Sequence, residues 1–89
     1  VMEIKWSATA LQRVSDIGTF IASDSPARAG QFVEQLLASV GRLSKFPYSG
    51  PLTPENPAFR QIVYQKYRLI YRITAVGVEV VTVISPGQP

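Results

Sequence analysis

The side chains in this chain best suited to chemistry are arginines. "FRQIVYQKYRLIYRI", from Phe59 to Ile73, carries Arg60, Arg68 and Arg72. A guanidinium stays charged at any physiological pH and presents its donors in a rigid fork that fits carboxylate and phosphate. Such groups bind anions or stabilise developing negative charge. They do not shuttle protons near neutrality, and their usual company for that task is missing. The sequence has no histidine and no cysteine. That removes the common general base, the commonest metal ligand, thiolate zinc sites, disulfides and cysteine nucleophiles. The carboxylates Glu3, Asp16, Asp24, Glu34, Glu55 and Glu79 are scattered, with no two placed as neighbours on one helical face. Serines are plentiful, but nothing is present to activate one. No metal and no cofactor is expected.

Spacing says how the arginines are held. In "QKYRLIYRI" (65–73), Tyr67, Leu69, Tyr71 and Ile73 alternate with Arg68, Ile70 and Arg72. Alternation places the first set on one face of a strand and the second on the other. The aromatic–aliphatic face reads as core, with the tyrosine hydroxyls reaching for partners at the sheet edge; stacking on nucleic-acid bases is the other use of such tyrosines. The opposite face reads as a rigid pair of guanidiniums flanking an isoleucine. It is either a docking surface for an anionic partner or the charged, solvent-facing side of a half-covered sheet. Arg60 opens the preceding strand, with Glu55 or Glu79 as a possible ionic partner.

The remaining elements follow from pattern. Residues 2–6, "MEIKW", alternate as a short strand. Ser7 is an N-cap, since its hydroxyl can accept from a free first-turn amide. From Ala8 to about Ser23 the period becomes helical, with Ala10, Val14, Ile17 and Ile21 on one face and Leu11 and Phe20 widening it. Ser25 and Pro26 start a second helix, proline being suited to a first-turn position that needs no donor. Its apolar positions run from Ala29 through Phe32, Val33, Leu36, Leu37 and Val40 to Leu43. The short link implies an antiparallel helix hairpin. Residues 45–57, with four prolines and a glycine, predict a loop without regular structure. Strands follow at 59–64, through 73 after a tight turn at Gln65 and Lys66, and at 78–85. "PGQP" then ends the sheet.

The sequence is 89 residues long, with 46% apolar and 17% charged residues and a net charge of +3. That is one domain, residues 1–89, with one modest core. The order strand, two helices, three-strand meander predicts an α+β domain, its helix hairpin packed on an antiparallel sheet. No stretch reaches the ~18 apolar residues of a membrane span. Together with the missing cysteines this predicts a cytoplasmic protein.

In this order the residues resemble the RelE/ParE superfamily of bacterial toxins from type II toxin–antitoxin (plasmid stabilisation) modules. The resemblance covers nearly the whole chain. "IKWSATALQRVSDIGTFIASDSPARAGQFVEQL" is similar to the family's opening, "RLSKFPYSGP" to its leucine–phenylalanine–proline–glycine loop, and "FRQIVYQKYRLIYRI" to its arginine-led hairpin. It implies the fold just described and a cognate antitoxin as partner in a hetero-oligomer. It also implies one of two activities. RelE-like members enter the ribosome and cut mRNA; ParE-like members inhibit DNA gyrase without a nuclease constellation.

The residues lean toward the second. RNA cleavage needs proton transfer at the attacking and leaving oxygens as well as arginines for the phosphorane. Arg60, Arg68 and Arg72 would supply the latter as catalytic groups. After Ile84 the sequence reads "SPGQP", without the tyrosine or histidine of RelE-like members, and the lysine-rich patch before the hairpin is absent. The same stretch lacks the basic tail common in ParE-like chains. A gyrase inhibitor binding through Arg60, Arg68 and Arg72 is therefore expected first, a ribosome-dependent mRNA endonuclease second, and a non-toxic antitoxin-binding remnant third.

Overall fold

A change from period two to a helical period and back builds one sheet with two helices on its inner face. The computed structural model describes residues 1–87. Its elements are β1 (Glu3–Trp6), α1 (Ala8–Ala22), α2 (Pro26–Gly41), a 3₁₀ turn (Arg42–Ser44), β2 (Arg60–Tyr64), β3 (Tyr67–Ile73) and β4 (Gly77–Ile84). Both helices start as their residues dictate. The Ser7 hydroxyl accepts from the amide of Ala10, and the Ser25 hydroxyl from that of Arg28, with Pro26 in the first turn.

The sheet order is β1-β4-β3-β2. The expected meander is there, with β2–β3 and β3–β4 both antiparallel. β1 joins it alongside β4 and runs parallel to it, which makes the whole sheet mixed. The two helices carry the chain away from β1, so β1 has no hairpin partner and takes the free edge of β4. Glu3 and Gly77 face each other in this pairing. A side chain at Gly77 would collide with the Glu3 carbonyl, so a glycine is required for so close an approach.

The core lies between sheet and helices. Ala10, Val14 and Ile17 of α1 and Phe32, Leu36 and Val40 of α2 meet Tyr67, Leu69, Tyr71, Val78, Val80 and Val83 of the sheet. Leu43 joins them from the 3₁₀ turn, so α2 stops short of it. The "VEVVTV" run does not alternate strictly because β4 bulges. Register passes from Ile70–Thr82 to Tyr71–Val80, leaving Val81 as the extra residue. The bulge is what lets Val78, Val80 and Val83 all point inward.

Three expectations change. Leu11 and Phe20 do not widen the buried face of α1; they are 55% and 76% exposed. Leu37, on α2, is likewise half exposed. The loop 45–57 is not wholly irregular: Leu52 bridges to Arg60, and Gln61 and Thr53 donate and Pro51 and Phe59 accept in a short extra pairing on the edge of β2. The sheet ends at Ile84; of the "PGQP" ending, Gln88 and Pro89 lie outside the described residues. Among the described residues no helix is long and apolar enough to cross a membrane.

Candidate functional site

The three arginines do not share a face. Arg60 stands opposite Tyr71 in the β2–β3 ladder, and cross-strand partners point to the same side. Tyr71 is in the core, fully buried. Arg60 is therefore at the inner, helix-side rim of the sheet, where it grips the loop. Its Nη1 donates to the carbonyls of Gly50 (2.8 Å) and Tyr48 (3.4 Å), and its guanidinium lies over the Tyr48 ring at 5.1 Å. The two carboxylates expected to pair with it are taken by other arginines, Glu55 by Arg68 and Glu79 by Arg72.

Tyr71 works on the same loop from below. Its hydroxyl donates to the Pro47 carbonyl at 2.7 Å and accepts from the buried amide of Gly50 at 3.0 Å. Burial pushes its pKa above the ordinary tyrosine value, against the opposing effects of the Gly50 amide and Arg60. Gly50 fits here because a side chain would meet the Gln61 carbonyl and the Tyr71 hydroxyl. Arg60 and Tyr71 thus act as two ties on one loop.

Arg68 and Arg72 are on the outer face, about 13 Å apart along β3 by strand geometry. Each already holds a carboxylate. Arg72 Nε donates to Glu79 Oε1 at 2.7 Å across the β3–β4 pair, and Lys5 stands opposite Glu79 on β1. Arg68 Nη2 donates to Glu55 Oε1 at 2.8 Å, and its Nε donates to Gln61 Oε1 at 2.8 Å. The Arg68 hydrogen bond holds the Glu55 carboxyl below its usual pKa. The outer face is thus an array of charge pairs and not a bare basic patch. Glu55 reaches Arg68 because the "TPEN" segment turns sharply, with the Thr53 hydroxyl accepting from the Asn56 amide. Pro54 and Glu55 are the inner residues of that turn, which a proline at its second position signals in sequence. The long-range pairing itself has no sequence signal.

A second feature escapes single-strand patterning. The half-exposed apolar residues of the hairpin line an open groove between α1 and α2 of about 610 Å³, bounded by Trp6, Leu11, Gly18, Ala22, Val33 and Leu37. Its lining is overwhelmingly apolar. Among the described residues no cluster of three or more possible ligands could hold a metal ion.

This arrangement, a helix hairpin on a mixed four-stranded sheet with an arginine-bearing β3, is the fold of the RelE/ParE toxins. The structure superposes on a chain of the chromosomal ParDE toxin–antitoxin system of Pseudomonas aeruginosa with a TM-score of 0.81, at 18% identity, over 94% of this chain and 95% of that one. It superposes on a chain of the intact Escherichia coli RelBE toxin–antitoxin complex with a TM-score of 0.69, also at 18% identity, over 99% and 100%. In sequence it is 32% identical to the Sinorhizobium fredii protein named putative toxin Y4kP, over 96% of this chain and 88% of that protein. The family model described as ParE toxin of type II toxin–antitoxin system, parDE, matches residues 4–88. The chain belongs to that ParE toxin family.

Proposed function

We propose that this ParE-family chain inhibits DNA gyrase, docking through the outer face of β3, and that a cognate antitoxin neutralises it. The observation that carries the reading is the division of the arginines. An mRNA endonuclease built on Arg60, Arg68 and Arg72 requires them to converge on one phosphorane. Arg60 is on the other side of the sheet, tying down the loop, and Arg68 and Arg72, about 13 Å apart at the backbone, are turned to different carboxylates, Glu55 and Glu79. A binding protein needs no such convergence. Two guanidiniums fixed on a strand suit recognition of an acidic macromolecular surface. In this reading Arg68 and Arg72 are the docking residues, and Arg60 acts by holding the loop.

The helix groove supports the antitoxin half of the proposal. An exposed apolar groove between helices is the usual seat for an amphipathic helix. An antitoxin segment there would cover Leu11, Val33 and Leu37 and make a hetero-oligomer.

The test is induction of the chain alone in a bacterium, with DNA and protein synthesis pulse-labelled in parallel. The proposal requires DNA synthesis to fall first. Protein synthesis falling first would return the endonuclease reading. No effect on either would leave a module that only binds its antitoxin.

A further inference from the structure

Arg68 is held in an incompletely filled site. Gln61 Oε1 accepts from both Nε and Nη2, which fixes the plane of the guanidinium and occupies one of its edges. Glu55 takes Nη2 with one oxygen only. Among the described residues nothing accepts from Nη1, so the second edge of the fork is half used. The site is accessible: the Arg68 side chain is 30% exposed and that of Glu55 63%. A carboxylate approaching along that edge can take Nη1 and Nη2 together, the stronger bidentate form. Glu55 bonds through a single oxygen.

We infer that Arg68 and Gln61 form a carboxylate-binding site, and that Glu55 occupies it as an internal stand-in for an aspartate or glutamate of the partner. The inference rests on the gyrase-docking reading and adds to it the chemistry of the contact. The partner's acidic side chain displaces Glu55, which returns to water at little cost because it is already largely hydrated. Neutralising Glu55 should therefore tighten binding. Arg72 is different: its pair with Glu79 is a cross-strand ladder contact, and Lys5 stands on the other side of Glu79.

The experiment measures the affinity of the whole chain for purified, DNA-free gyrase. The variants are Glu55→Gln, Glu34→Gln, Arg68→Ala and the Glu55→Gln/Arg68→Ala pair, each checked for folding by circular dichroism. Glu55→Gln should bind about 2- to 5-fold more tightly, the size of an exposed ion pair released. Arg68→Ala should bind more weakly, and the double variant should match it. If Arg68→Ala weakens binding but Glu55→Gln gives no gain, the stand-in is refuted while the docking face survives. An equal gain from Glu34→Gln, an exposed carboxylate on α2 away from β3, refutes it too, since the effect would then be one of net charge. A gain seen only for duplex DNA refutes it in favour of a phosphate ligand. If Arg68→Ala binds as well as the parent chain, the docking reading falls and takes the inference with it.

Discussion

Replacing Tyr71 with phenylalanine keeps the ring and removes one buried oxygen. That oxygen joins β3 to two points of the loop, donating to Pro47 and accepting from Gly50. Loss of an ordinary hydrogen bond costs about 1 kcal/mol, and a buried donor left without a partner costs about 1–3 kcal/mol. Gly50 is buried, and among the described residues its amide finds its acceptor in the Tyr71 hydroxyl alone. The Pro47 carbonyl loses its donor as well. The expected loss is about 3 kcal/mol, a large share of the 5–15 kcal/mol typical of a domain. Urea unfolding followed by circular dichroism measures it, and an unchanged m-value would show that the compactness of both states is preserved. Arg60 ties the same loop by the Gly50 carbonyl, so Arg60→Ala and Tyr71→Phe share a partner. Their combined effect should depart from the sum of the single ones by at least about 0.5 kcal/mol. A Tyr71→Phe loss below about 1 kcal/mol, or strict additivity with Arg60→Ala, would refute the two-tie account of the loop.

Other outcomes follow from single residues. Gln65 sits in the tight β2–β3 turn at φ 55°, a left-handed conformation unfavourable to a side chain; Gln65→Gly should stabilise the chain by about 1 kcal/mol in the same unfolding assay. Gly77→Ala should destabilise it by about 1–3 kcal/mol or more, because the new methyl meets the Glu3 carbonyl and forces β1 from β4. Tyr71 holds its proton more firmly folded than unfolded. Stability should therefore be unaffected by this group below about pH 10 and fall as pH rises beyond it toward the folded-state value, a loss that Tyr71→Phe abolishes. The Glu55 carboxyl is depressed by Arg68. Its contribution should be present above the ordinary carboxylate range and disappear as pH falls through the folded-state value, which NMR titration of the Glu55 side chain checks.

Local chemistry made much of this legible. Ser7, Ser25 and Pro26 mark helix starts in any context, and the strict alternation of Tyr67 to Ile73 fixes both faces of β3. The parallel seating of β1 was not legible, because strand direction within a sheet depends on which edge is free after the helices have been laid down. The bulge at Val81 had a trace in the Val80–Val81 doublet, which breaks the alternation. Phe20, Leu11 and Leu37 fit a helical stripe yet stay exposed, since the sheet covers only part of two helices and periodicity does not say how much. The arginines show the same limit. Their presence on strands was readable, but Arg60 faces inward only because of its register against Tyr71, and Glu55 meets Arg68 only because the "TPEN" turn folds back.

In the proposed reading the outer face of β3 docks on gyrase while Arg60 serves the loop. The most direct measurement is plasmid supercoiling by purified gyrase in the presence of the chain and of its Arg68→Ala/Arg72→Ala variant. Docking through this face predicts inhibition by the parent chain and at least a tenfold loss of potency in the folded double variant. Supercoiling untouched by the parent chain, with mRNA cut in translating ribosomes instead, would contradict it.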